Sequence, residues 1–278
     1  MSMLQCIIVM VVGFAIALFG MNKQKQGATW GQAVAALGAI IAIVAACWNL
    51  FGNFFGAKEK GRAREERYMY LQTKFLGDAV KKSVNPQKVC VLVDPNYYLD
   101  EWGDPLPTPK RSVYLEGIEA ALKGAEIIPV YPKFKHPKPK NAANAMPPMP
   151  YSILSTSDFK KVVEEVKKAK PDIFINIFSL PMDGGANLPS CLKMLKGAGC
   201  DKAAFLNNSS NDELTFAFKD GGKSMAEVIA VVMTKVDAVY DETIPSADQK
   251  AFDRRYELVL PENYEQGIRN ASGSASKK

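Results

Sequence analysis

The sequence predicts an α/β fold: a doubly wound, mostly parallel sheet of five or six strands, preceded by an N-terminal two-helix transmembrane hairpin. Three observations predict it. Residues 1–22 and 26–57 carry no charged side chain. From residue 88 onward, short apolar runs alternate with helical patterns. Those apolar runs show no alternation with polar residues, as expected of strands covered on both faces.

The first uncharged run, Met3–Met21, is almost wholly apolar (Ile7, Ile8, Val9, Val11, Val12, Phe14, Ile16, Leu18, Phe19). As a helix it crosses a hydrocarbon core of roughly 30 Å. The second, about residues 32–55, also reaches spanning length, with Trp30 at one end and Trp48, Phe51, Phe54 and Phe55 at the other. Amphipathic rings favour the membrane interface. A cleaved signal peptide is the rival for the first segment. It fits poorly, because there is no basic n-region or A-x-A site and a second span follows at once. The expectation is therefore a hairpin over residues 1–56, with spans at about 3–21 and 32–55 and a connection at 21–31.

Orientation follows from Lys and Arg counts. The connection holds Lys23 and Lys25, and the segment after the second span holds Lys58, Lys60, Arg62, Arg64 and Arg67. This bias places the N-terminus and the large C-terminal part in the cytoplasm, with the chain as a multi-pass protein of the cell (inner) membrane. Cys6 and Cys47 fall in the spans. Cys90, Cys191 and Cys200 show no metal-ligand spacing and read as buried thiols in a reducing compartment.

Small residues recur at four-residue spacing in the second span: Gly31, Ala35 and Ala39 on one line, and Gly38, Ala42 and Ala46 on a neighbouring one. Gly13 and Ala17 offer a matching patch on the first. Such faces let helix backbones approach in lipid, either within the hairpin or against other membrane subunits or a second copy. Neither span has an ionisable residue, so an ion pathway through them is not expected.

Residues 57–85 read as a connecting helix, charged at first and then apolar at helical spacing (Tyr68, Leu71, Phe75, Ala79), ended by Asn85-Pro86. The α/β domain is expected over residues 86–262. Strands are predicted at 88–94, 125–131, 172–178, 203–207 and 227–234, with a sixth short one at 256–260. Helices fall at 114–123, 158–169, 189–196 and 212–219. Ser155 supplies an N-cap for the second of these. Residues 100–110 lengthen the first β-α connection. Residues 131–150 contain six of the 17 prolines, four lysines and the only histidine, and read as an extended insertion suited to a partner contact. Residues 263–278 read as a flexible tail.

Five β-α units, with the first strand ending VLVDP, the third INIFSLP and the fifth VVMTK, resemble one lobe of the type I periplasmic-binding-protein fold over about residues 86–240. That family clamps a ligand between two lobes, and only one is legible here. The order also resembles response-regulator receiver domains. Asp94 and Lys235 match that pattern's first acid and last lysine. The end of the third strand, Phe178-Ser179-Leu180-Pro181, lacks the phospho-accepting Asp.

No P-loop and no G-x-G-x-x-G follow the first strand, and a lone His136 among prolines and lysines excludes a His-rich metal site. No cofactor is expected. A net charge of +6 (35 basic, 29 acidic) does not by itself predict a nucleic-acid partner, and none is expected. Ligands in open α/β sheets bind beyond the carboxyl ends of the strands. That rule nominates Asp94, Asn96, Tyr97, Ser179, Asp183, Asn207, Asn208, Ser209 and Lys235. With no reactive cluster in view, the leading expectation is a non-enzymatic, membrane-anchored accessory or scaffold subunit. The rival is a membrane-tethered solute-binding or sensory module.

Overall fold

The computed structural model describes residues 3–100, 103–132, 154–181, 187–207, 209–240 and 243–273, with side chains throughout these except at 3–4 and 49–58. The Pro-rich insertion from residue 133, with His136, and the candidates Asp183 and Asn208 lie outside the described residues. The chain divides into two compact units, Met1–Glu65 and Glu66–Lys278.

In the first unit, α1 (Met3–Lys25) and the start of α2 (Gly31–Val84) are antiparallel partners. Both are apolar enough to span a membrane, over Gln5–Lys25 and Gly31–Trp48, with mean hydropathies of 2.1 and 2.0. The connection is tighter than the sequence predicts, because α1 continues through Lys25 and the chain turns at Gly27, whose φ is +85°.

The seam between the two helices is made of glycine. A Cβ placed on Gly20 would lie 2.3 Å from Ala35 N, and one on Gly38 would lie 2.4 Å from Ala17 N. One on Gly13 would meet Ala42 N at 2.8 Å. Contacts this close leave no room for any other residue, and they let the two backbones touch. The buried line runs every seventh residue: Cys6, Gly13 and Gly20 on α1, and Gly31, Gly38 and Ala45 on α2. The expected lines of four depart from this only at their third members. Ala39 is exposed, Ala46 is half-buried, and Ala45 takes the inward place. Four-residue steps rotate around the helix by about 40° each, whereas seven-residue steps drift by only about 20°. Gly13, Ala17, Gly31, Ala35, Gly38 and Ala42 all belong to the contact. The large side chains point away from it. Ile7, Val11, Phe14, Leu18, Leu37, Ile40, Ile43 and Val44 are all exposed.

Helix α2 carries both the second apolar segment and the charged stretch as one element. The boundary expected at residues 56/57 is not an element boundary. The charged stretch is rich in Ala, Glu, Lys and Arg, which continue a helix readily. It ends where Asn85 turns to φ +46° and Pro86 removes the next donor.

The second unit is a six-stranded sheet in the order β2-β1-β3-β4-β5-β6. Its strands are β1 (Lys88–Leu92), β2 (Glu126–Val130), β3 (Ile173–Asn176), β4 (Lys202–Leu206), β5 (Glu227–Thr234) and β6 (Tyr256–Val259). The first five are parallel, and β6 closes the edge antiparallel to β5. At the opposite edge, Glu126 donates to Gln87 and Val130 accepts from Val93. That phase turns residues 127 and 129 outward, so Pro129 sits where its missing donor costs β1 nothing and blunts the open edge.

Successive strand residues feed two cores. Cys90, Leu92, Phe174, Phe205 and Val231 pack with α4 (Thr156–Ala169), α5 (Leu188–Gly197), α6 (Asn211–Asp220) and α8 (Tyr264–Ser272). Val89, Val91, Ile173 and Ile175 pack with the last part of α2, α3 (Val113–Ala121) and α7 (Asp248–Arg255). Within the first core, Phe159 meets Phe174 edge-to-face at 6.3 Å, a geometry worth about 0.5–1.5 kcal/mol beyond area burial. Side-chain caps start four helices: Ser112 at α3, Ser155 at α4, Asn187 at α5 and Ser210 at α6.

Two helices are absent from the sequence expectation. Helix α7 is mostly charged, with Ala251, Phe252 and Arg255 inward. Helix α8 occupies residues assigned above to a flexible tail. Its Gly267, Ile268 and Ala271 form a buried face, and a Cβ on Gly267 would lie 2.9 Å from Val259. The segment from 264 to 272 is therefore part of the fold.

Candidate functional site

The central strands β1, β3 and β4 end in the same device. Asp94 Oδ1 accepts from Asn96 N at 2.8 Å, Asn176 Oδ1 from Phe178 N at 2.9 Å, and Asn207 Oδ1 from Ser209 N at 2.8 Å. A short acceptor side chain that bonds the backbone two residues on turns the chain sharply. These polar strand ends are thus first of all turn formers, a structural use that accounts for Asn207 and Ser209. Asn176 was not nominated from sequence, although an Asn inside the run Ile173–Phe178 was the available signal. It is buried, and its Nδ2 donates to Ser179 O at 3.1 Å.

The order of strands reverses between β1 and β3, whose partners on the other side are β2 and β4. At such a switch point the connecting chains part and leave a crevice at the carboxyl edge. Register brings Leu92 beside Asn176, and Ile177 N still donates to Leu92 O. Asp94 and Ser179 therefore follow neighbouring strands at this carboxyl edge. Asn96 and Tyr97 stand on the 3-10 turn Pro95–Tyr97 beside it.

Two polar atoms there are unused. Both bonds from Asn96, to its N at 2.8 Å and Nδ2 at 2.7 Å, end on Asp94 Oδ1. Oδ2 has no hydrogen bond among the described residues. The Ser179 hydroxyl is buried and has no partner among the described residues. A buried polar group without a partner costs about 1–3 kcal/mol, so its retention calls for a reason.

Burial pushes the Asp94 carboxyl above its ordinary value, opposed by the Asn96 hydrogen bonds. Burial, then Asp94 and Glu66, push the Tyr97 phenol up. Burial, Glu119 and Tyr131 do the same to Tyr98. Tyr98 stacks on Tyr131 with ring centroids 5.0 Å apart and planes within 5°. This aromatic pair joins the carboxyl ends of β1 and β2. Arg111, in the same connection, is engaged by Glu116.

Lys235 is not brought to this crevice. Its Nζ donates to Asp253 O at 2.6 Å and lies 3.4 Å from Glu257 Oε2. It fastens β5 to α7 and β6. Burial raises the Cys90 thiol to about 12 and the Cys200 thiol to about 11, so both stay protonated and unreactive at neutral pH. Among the described residues no three His, Cys, Asp or Glu side chains gather as a metal site would require.

A buried cation also escaped the sequence reading. The Arg255 guanidinium lies 3.5 Å from the ring centre of Tyr68 and 4.5 Å from that of Tyr240. It donates to Val239 O and Tyr240 O, both at 3.0 Å. Arg255 pins the chain after β5 onto the end of α7.

The fold thus defines an α/β protein with a doubly wound sheet, preceded by an apolar helical hairpin. No protein family model matches the chain, and no curated protein matches it. Among solved structures, the chain is similar to ureidoglycine-glyoxylate aminotransferase (pucG) from Bacillus subtilis, at 11% identity and a TM-score of 0.33. The alignment covers 74% of this chain, which spans only 41% of that one. The expectation that this chain is not an enzyme finds no support in that neighbour, itself an enzyme. A likeness so distant assigns neither a family nor an activity.

Proposed function

We propose that the chain is a membrane-anchored α/β protein whose hairpin closes on itself within the bilayer and holds the sheet unit at the cytoplasmic face. The observation that carries this reading is the inverted packing of the hairpin. Glycines fill its interior, while Ile7, Phe14, Leu18, Ile40 and Val44 face outward. In water that arrangement leaves the apolar area exposed that folding normally removes. In lipid it costs nothing, and close backbone packing becomes the main attraction. Because the small-residue seam is spent inside the hairpin, contacts with other membrane subunits fall to the sheet unit. There the Pro-rich insertion of residues 131–150 is suited to serve as an arm of an accessory or scaffold subunit. The cytoplasmic orientation rests on the excess of Lys and Arg after the second span.

Fractionation and protease accessibility test this reading. The full chain is expected to stay with membranes through alkaline carbonate and to enter solution only with detergent. In sealed inside-out vesicles, protease should remove the sheet unit. Release by carbonate alone would overturn the anchor, and protection of the sheet unit would overturn the orientation.

A second reading is favoured by the orphan Ser179 hydroxyl. On this reading the sheet unit, with its likeness in order to a single periplasmic-binding-protein lobe, binds a small molecule in the β1/β3 crevice. Asp94, Asn96, Tyr97 and Ser179 are the contacts.

A further inference from the structure

The outer surface of the first core carries a groove of about 440 Å³ between α4 and α5. Val163, Met194 and Ala198 form its apolar floor, and the exposed Lys160, Glu164 and Lys167 stand at its rim. Met194 and Ala198 are only partly covered by the core beneath them. The charge around the groove is one-sided. Residues 155–170 and 187–198 contain seven lysines, three acids and no arginine. Two of the acids are engaged locally, Asp158 by Lys161 at 2.8 Å and Glu165 by Lys168 at 3.1 Å. Lys160 and Lys167 have no ion pair among the described residues.

The walls select the conformation of an occupant. Both are helices whose backbone groups are bonded internally, so an extended peptide finds no donors or acceptors there. A helix satisfies its own backbone and can lay side chains spaced three and four residues apart along such a groove. The floor calls for apolar side chains, and the lysines call for acids beside them. No aromatic ring lines the groove to stack on a base, and no arginine to fork onto a phosphate.

We propose that the α4/α5 groove docks an acidic amphipathic helix of a partner protein. Its apolar side chains rest on Val163, Met194 and Ala198, and its carboxylates face Lys160 and Lys167. This rests on the accessory-subunit reading and deepens it, by giving the sheet unit a contact surface of stated chemistry.

Fluorescence anisotropy of a labelled peptide titrated with the full chain in detergent tests it, with protein-free micelles as the blank. The probe is a helical peptide of about 18 residues, with leucines at every third or fourth position and glutamates around them. Its twin carries lysines in place of the glutamates. The acidic peptide should bind and the twin should not. Lys160→Glu combined with Lys167→Glu should weaken the acidic peptide about tenfold and admit the twin. Both positions are exposed, so Tm should stay within about 2 °C. Met194→Gln should also weaken the acidic peptide, with no change in charge. Binding that neither change weakens lies elsewhere and overturns the groove. Binding weakened by the lysine changes but not by Met194→Gln is plain charge attraction and overturns docking on the floor. Failure of the acidic peptide to bind overturns the proposal. Tighter binding of a single-stranded oligonucleotide or of phosphatidylserine vesicles overturns the partner class. Carbonate extraction tests the anchor separately, so release there leaves this binding intact and failure here leaves the anchor standing.

Discussion

In the hairpin unit the smallest side chains face inward and the largest face outward. In the sheet unit Phe159, Phe174 and Phe205 are fully buried, and the exposed positions of α4 are mostly lysine and glutamate. The same physics produces both arrangements. Apolar area moves away from water; for the sheet unit the refuge is its own interior, and for the hairpin it is the surrounding lipid. What holds each unit together therefore differs. The sheet unit depends on side-chain volume, and the hairpin depends on the lack of it.

Truncation should separate the two most sharply. Phe174→Ala empties a fully buried ring site in the first core and should cost about 3–5 kcal/mol in denaturant unfolding of the sheet unit. Ile40→Ala, at a hairpin position 57% exposed, should cost under about 0.5 kcal/mol in detergent. Enlargement reverses the ranking. Gly38→Leu drives a side chain into the backbone of α1 at Ala17 and Gly13, and the helices must part. The readout is oxidation of the native Cys6 with Ala45→Cys, two buried positions of the seven-residue seam. The crosslink should form in the parent and fail when Gly38→Leu is added. Equal costs for Ile40→Ala and Phe174→Ala would end the contrast.

A smaller effect sharpens it from the other side. Among its described residues the sheet unit buries one cation, Arg255, between two tyrosine rings and two backbone carbonyls. Arg255→Met keeps much of the volume and should lose about 3 kcal/mol, from the charged hydrogen bonds and the ring contacts. Lys at the same position keeps the charge but not the planar fork, and should recover only part of that loss. Hydrogen exchange should localise the change to residues 236–240. A uniform loss across the sheet would show that Arg255 supports the core in general rather than this segment.

How much of this was legible in the sequence depends on the size of the signal. The spans and strands declare themselves through runs of apolar residues, and β5 falls at its expected bounds, Glu227–Thr234. Five strands end one or two residues short of their expected carboxyl bounds; Val93, for example, is buried and still donates to Val130 O but lies beyond β1. Helices α7 and α8 were missed because three inward residues in eight or nine give a weak period when the rest are charged or polar. The seam was legible in the pairs Gly31/Ala35, Gly38/Ala42 and Gly13/Ala17; the third members Ala39 and Ala46 rotate off it because four-residue steps drift around the helix. The carboxyl edge of β1 and β3 was legible as a set of strand ends, with Asp94, Asn96, Tyr97 and Ser179 among them. Three things were not. Lys235 turns away to Glu257, Asn207 spends its amide on a turn, and the orphaned state of the Ser179 hydroxyl depends on neighbours that only folding assembles.

The smallest expected effect tests whether the crevice is built for function at a cost to the fold. Burial raises the Asp94 carboxyl above the 3.8 of an ordinary aspartate. The folded chain therefore holds this proton more tightly than the unfolded chain does. Between 3.8 and the raised value the native state binds more protons, and stability falls as pH rises through that window. Asp94 thus supports the fold only when protonated, and at neutral pH its charge is a liability. Asp94→Asn keeps an oxygen for the Asn96 donors and removes the charge, so it should stabilise the sheet unit at pH 7. The gain should fade as pH is lowered and be gone below 3.8, where Asp94 is protonated in the folded and unfolded chain alike. Loss of the charge should also lower the Tyr97 phenol, because Asp94 helps to hold it up, and ultraviolet titration of tyrosinate reads that shift. Were Asp94→Asn to destabilise the protein equally at pH 4 and pH 7, the carboxyl would be a turn former alone, and the strand ends of this sheet would be as purely structural as the glycines of the hairpin.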